Sequence, residues 1–143
     1  MRRSRLSSQF IVALLMSTLM LPLLSANTFD ISEDTTWSGN ITLDSDVVVA
    51  SGSTLTIEPG TVIDSGYGHA IEVLGTLIVA DAHFLSSASP TAQSSHGQGL
   101  WQGIIVNAGG HATLTNVTIE NANVGVKSYG SLFANELLSL IHI

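Results

Sequence analysis

The chain has 143 residues, no cysteine, four basic and eleven acidic side chains, and a formal charge of −7 at neutral pH. Three of the basic residues fall within positions 1–26, so the rest of the chain sets Lys127 alone against eleven carboxylates, a formal charge of −10. That balance excludes a nucleic-acid partner and attraction to anionic lipid, which need clustered Lys and Arg. Without disulfides, the fold must be held by a stacked core or by neighbouring domains.

Arg2, Arg3 and Arg5 precede an apolar run from Phe10 to Leu24, which Ser25 and Ala26 close. Residues 1–26 read as a secretory signal peptide cleaved after Ala26, because an apolar core of about 15 residues is shorter than a membrane span. Arg2 and Arg3 form a twin-arginine pair, but the strongly apolar segment behind them favours the general export route. An uncleaved N-terminal anchor is the alternative. The expected location is secreted or cell-surface, with no membrane contact in the mature form.

Residues 27–39 carry Asp30 and Trp37 and are expected to cap the first repeat unit. From Asn40 to Leu137 one phrase recurs: VVVASGSTLTI at 47–57, AIEVLGTLIVA at 70–80, GIIVNAGGHATL at 103–114 and VGVKSYGSLFA at 124–134. Apolar residues alternate with polar ones, as in Ile71, Glu72 and Val73, which is the period of a strand with one buried face. Gly52, Gly75, Gly110 and Gly130 separate the two strands of each unit and suit corners that need positive φ. Glu58, Pro59 and Gly60 supply another corner. Repeats of this length and content predict a β-solenoid. An antiparallel β-sandwich is the structural alternative.

Aligning the phrases predicts three inward columns. They are Val47, Ile71, Ile104 and Val124; Val49, Val73, Val106 and Val126; and Leu55, Leu77, Leu114 and Leu132. The matching outward column is Val48, Glu72, Ile105 and Gly125. Repeat spacings of 24, 33 and 20 residues show that one unit carries an insertion, at 86–99, a Ser-rich stretch without apolar periodicity.

The STLTIEPGTVI, GTLIVADAHF, WQGIIV and IENANVGV stretches resemble the starting coils of right-handed parallel β-helix proteins of the pectin-lyase-like superfamily. The resemblance covers residues 37–136, nearly all of the chain after the leader. It implies an all-β, right-handed parallel β-helix of about four coils. For activity it implies, at most, a polysaccharide lyase or glycoside hydrolase. Lyase chemistry there resembles a site where acidic residues hold Ca²⁺ beside an Arg or Lys base, and the chain after residue 26 has no Arg. Inverting hydrolases need paired carboxylates about 6.5–9.5 Å apart, and Glu72 stands alone in the outward column.

Several residues carry weaker expectations. Glu58, Asp81 and Glu120 each sit near the exit of a second strand and would line one edge, able to bind Ca²⁺, if those exits stack. Trp101, with Gln98 and Gln102, follows the insertion and could stack on and hydrogen-bond a sugar ring; packing of the loop base is the plainer reading. Asn40 with Thr42, and Asn116 with Thr118, are glycosylation acceptor triplets. His69, His83, His96 and His111 show no metal-ligand spacing. Thr54, Thr56, Thr113 and Thr115 suggest an outward Thr array, interrupted at Ile78 and Phe133.

Residues 138–143 read LSLIHI and resemble a translated sequencing adapter, so the native C-terminus and further coils are expected to be missing. The function this predicts is a secreted or surface β-helix module with a structural, adhesion or glycan-binding role. Its partners would be polysaccharide or other surface proteins. The alternative is the N-terminal part of a polysaccharide-active enzyme.

Overall fold

Strands three to ten residues long are what short alternating runs of Val, Ile, Thr and Leu favour, because each run has only one face to bury. The computed structural model describes residues 27–87 and 101–140, and among them it contains twelve strands and no helix. All the pairings are parallel, and the strands stack as a β-solenoid of about five turns with the right-handed coiling of a parallel β-helix. The first coil is β1 (Thr28–Ile31), β2 (Thr35–Trp37) and β3 (Asn40–Thr42), and the second is β4 (Asp46–Val49), β5 (Thr54–Ile57) and β6 (Val62–Asp64). In the later coils the second and third segments fuse. These coils are β7 (Ala70–Val73) with β8 (Thr76–Leu85), β9 (Gly103–Val106) with β10 (His111–Glu120), and β11 (Val126–Ser128) with β12 (Ser131–Leu140).

One sheet runs β1-β4-β7-β9-β11; the other runs β12-β10-β8-β5-β2, with β3 and β6 paired beside it. Residues 27–39 contain two strands of the solenoid's first coil, because Phe29 aligns with Val47 and Thr35 with Leu55 in the same ladders that carry the later coils. At the other end β12 continues through Leu138–Leu140 beside Thr118–Glu120. The insertion at 86–99 lies outside the described residues except for Ser86 and Ser87.

The core is a set of stacked columns, and each of the three expected columns differs at one position from the sequence expectation. Val47, Ile71 and Ile104 stack as expected, but the next residue is Val126, while Val124 is exposed and Ser128 follows Val106. Leu55 and Leu77 are followed by Ala112 and Leu132, whereas Leu114 follows Val79. The outward row is consequently Val48, Glu72, Ile105 and Lys127, not Gly125. The cause is turn length. Two residues separate the strands at Leu74 and Gly75 and at Tyr129 and Gly130, but four do so at 50–53 and at 107–110. Matching the Val and Leu letters across unequal turns shifts the register by two.

What fixes the register is a close approach of backbone. A Cβ on Gly75 would collide with the carbonyl oxygens of Ala50 and Ser53, and one on Gly110 with that of Val73. These glycines lack positive φ, so their requirement is space rather than dihedral freedom; Gly52, at φ 88°, does need the left-handed region. A second aligned position is the corner between the last two segments of each coil. Asp81, Asn116 and Glu136 there have φ of 50°, 50° and 54°, and Gly60, whose N–H donates to Asp81 O at 2.8 Å, has φ 82°.

Asp64 ties the third coil back to the second. Partial burial opposes its ionisation, but the hydroxyl and N–H of Ser87 and the N–H of Gly66 all donate to the carboxylate and outweigh that cost, so its pKa lies below the ordinary value.

Two outcomes follow for stability. Val73 is fully buried and Glu72 faces out, accepting a 3.2 Å hydrogen bond from Asn107 Nδ2. A urea melt should show Val73→Asp losing about 4 kcal/mol or more, while Glu72→Gln stays within about 0.5 kcal/mol of the parent. For Asp64, a lowered folded pKa means stabilisation that is present above the unfolded value near 3.9 and lost as pH falls through the folded pKa. The parent should exceed Asp64→Asn by about 1 kcal/mol at pH 7, and the two melting curves should converge as pH falls below about 4.

Candidate functional site

The corner column and the third segments of β8 and β10 build one polar cleft of about 490 Å³, lined by Gly60, Thr61, Val62, Asp81, Ala82, His83, Asn116, Thr118 and Glu120. Its floor follows from strand alternation. Ala82 and Phe84, with Val117 and Ile119, point into the core, which turns His83, Thr118 and Glu120 outward onto neighbouring rungs. His83 lies directly beside Thr118 in register. The αL corner then brings Asp81 and Asn116 to the rim one above the other.

Polar contacts link the two coils across the cleft. Asn116 Nδ2 donates to Asp81 Oδ1 at 2.6 Å, and His83 Nε2 lies 3.4 Å from Glu120 Oε1, close enough for a charge pair but without hydrogen-bond geometry. His83 Nε2 is itself shielded from solvent, although about a third of the side chain is exposed. The cleft thus offers two carboxylates, an imidazole, a carboxamide and hydroxyls on rungs about 4.8 Å apart.

The structure redistributes the residues expected at a site. Asp81 and Glu120 share the cleft, but Glu58 sits on the exposed corner before Gly60 and does not line it. The three exits do not stack, because Asp81 leaves the second segment of its coil while Glu120 leaves the third, beyond the corner. No group of three or more His, Asp or Glu side chains placed to hold a metal ion occurs among the described residues. Asn116 belongs to the corner contact just described, and Asn40 is exposed on β3.

Trp101 does not present a face to a sugar. Its ring is fully buried, 6.2 Å from that of Phe84 at an interplanar angle of 15°, and its Nε1 donates to Glu120 O at 2.9 Å. It also makes an isolated parallel bridge to Ala122. Gln102 is exposed, and its N–H donates to His69 O at 2.8 Å; Gln98 lies outside the described residues. Elsewhere, Lys127 Nζ sits 5.1 Å from the centre of the Tyr129 ring, and His69 Nδ1 lies 3.5 Å from Asp46 Oδ1.

His83 and Thr118 were the residues that sequence reasoning left out of the site. The available signal was the glycine spacing: aligning Gly75 with Gly110 places His83 opposite Thr118 and Asp81 opposite Asn116. Comparison with protein-family models, with curated proteins and with solved structures gave no match.

Because Trp101 is core, Trp101→Ala should behave as a cavity mutant, costing about 3–5 kcal/mol in a denaturant melt. Trp101→Phe should recover about half of that loss, since it restores the ring contact but not the hydrogen bond.

Proposed function

We propose that this chain is an exported β-helix module of pectin-lyase-like type with a structural or adhesion role outside the cell, and that its polar cleft holds a glycan. The observation that carries the reading is the cleft itself. Asp81, His83, Asn116, Thr118 and Glu120 converge from two coils of a rigid ladder on a cleft of about 490 Å³. Carboxylates, amides and imidazole recognise vicinal hydroxyls by directed hydrogen bonds, and side chains set on adjacent rungs need little ordering to do so.

The charge narrows the ligand class. Two carboxylates in the cleft, on a chain with one lysine after residue 26, repel uronate or sulfate groups. Neutral or amino-bearing polysaccharide is the class that fits. Export through the leader of residues 1–26 would place the cleft where such polymers occur.

A second reading has one observation in its favour: two carboxylates line one cleft, as hydrolytic sites require. Each already has a neighbour, Asn116 for Asp81 and His83 for Glu120, which suits holding a ligand better than moving a proton. The glycan reading is the one we carry forward.

Calorimetric titration with neutral and amino-sugar oligosaccharides tests it. Binding is expected in the micromolar to millimolar range, with Thr118→Tyr, which fills the cleft, abolishing it at unchanged melting temperature. Equal affinity in parent and Thr118→Tyr would remove the cleft from the reading, and new reducing ends in the same samples would favour the hydrolase.

A further inference from the structure

Inside the polar cleft one pair of side chains is left with acceptors that nothing in the fold answers. Among the described residues the Glu120 carboxylate accepts no hydrogen bond, and His83 Nε2, 3.4 Å from Glu120 Oε1, is buried without a hydrogen-bond partner. Asp81 differs, since its Oδ1 already takes the Nδ2 donor of Asn116 at 2.6 Å. A polar atom shut away from water without a partner costs free energy, so the pair calls for a donor from outside the chain. Among the described residues no Lys or Arg lines the cleft. The one lysine after residue 26, Lys127, lies on β11 of the other sheet, against the Tyr129 ring.

The pair is held in place from beneath. His83 is in register with Thr118, so it meets Glu120 on a diagonal, one outward position further along β10. Phe84, which follows His83, is fully buried and stacks on Trp101, whose Nε1 donates to the backbone oxygen of Glu120 at 2.9 Å. One core contact therefore fixes the backbone under both side chains, each of which is 37% exposed. Little ordering remains for a ligand to impose.

We propose that His83 and Glu120 form an ammonium subsite of the cleft, and that the glycan it takes is an amino-sugar polymer with free amines rather than a neutral or N-acetylated one. This rests on the reading of the cleft as a glycan site and narrows it. With its ring proton on Nδ1, the imidazole offers Nε2 as an acceptor beside the carboxylate. A primary ammonium brings three N–H donors and a positive charge, and so satisfies both groups at once. A hydroxyl has one proton to give and meets only one of them, and an N-acetyl group brings no charge. The Asp81 carboxylate deepens the negative field over the same cleft while keeping its bond to Asn116.

Calorimetric titration at neutral pH and low salt compares a glucosamine tetrasaccharide with its fully N-acetylated counterpart, which differs at the amines alone. The free-amine sugar should bind about tenfold more tightly, and that preference should shrink as salt rises. Glu120→Gln should bring the ratio of affinities to about one, and His83→Phe, which keeps a ring but removes the acceptor, should cut it by about threefold. Glu72→Gln removes an equal charge from the other sheet and should leave the ratio as it is. Circular dichroism melts of the variants control for folding. Equal affinity of the parent for the two sugars leaves the glycan reading standing and overturns the ammonium subsite. A preference that survives Glu120→Gln, or that His83→Phe leaves untouched, overturns it too. Absence of heat with either sugar removes the glycan reading and this inference with it. An oligolysine of matched charge that binds as tightly as the free-amine sugar also overturns the proposal, because the cleft would then recognise cations without sugar.

Discussion

The parallel backbone ladder between coils is the constraint on which the rest of this molecule depends. Each coil is too small to bury its own apolar face, so the core exists only because the next coil lies about 4.8 Å away in register. Backbone pairing and side-chain stacking are therefore one event: the hydrogen bonds that join β7 to β9 also put Ile104 on Ile71 and Val106 on Val73. The side chains outside that core inherit their positions from it. His83 meets Glu120, and Asn116 meets Asp81, because the core residues on either side have fixed the rungs.

Turns regulate the ladder more tightly than the strands do. A two-residue turn at Leu74 and Gly75 must sit against a four-residue turn at 50–53, and it can do so only if the glycine lets backbone touch backbone. The same close approach recurs at Gly110 and Gly130. At the other corner the chain accepts Asp81, Asn116 and Glu136 in a left-handed conformation, at a cost of order 1 kcal/mol each that a fully paired ladder can carry. That corner is what keeps β8, β10 and β12 continuous, and it aims the polar cleft outward.

A ladder of this kind has no intrinsic end. A rigid, repetitive surface presents side chains at fixed spacing for a polymeric ligand.

Much of the architecture was legible in the sequence because period-two alternation and regular glycine spacing are local properties. The all-β class, the parallel solenoid and the inward placement of Val47, Val49, Ile71, Val73, Ile104 and Val106 need no knowledge of distant contacts. Register was not legible, because turns of two and four residues look alike until the coils are stacked; Val126 rather than Val124 joins the core for that reason. Residues 27–39 read as a cap because their strands are short and polar, and only pairing with β4 and β5 makes them a coil. Trp101 read more plainly as packing than as a sugar platform, and its burial against the ring of Phe84 agrees with that. The cleft was the least legible feature. Asp81 and Glu120 are 39 positions apart, and only a corner in one coil and a strand end in the next bring them to one surface. Sequence determined which side chains face inward, since alternation settles that residue by residue. Tertiary structure decided which of them are neighbours, since that depends on turn length and backbone contact between coils.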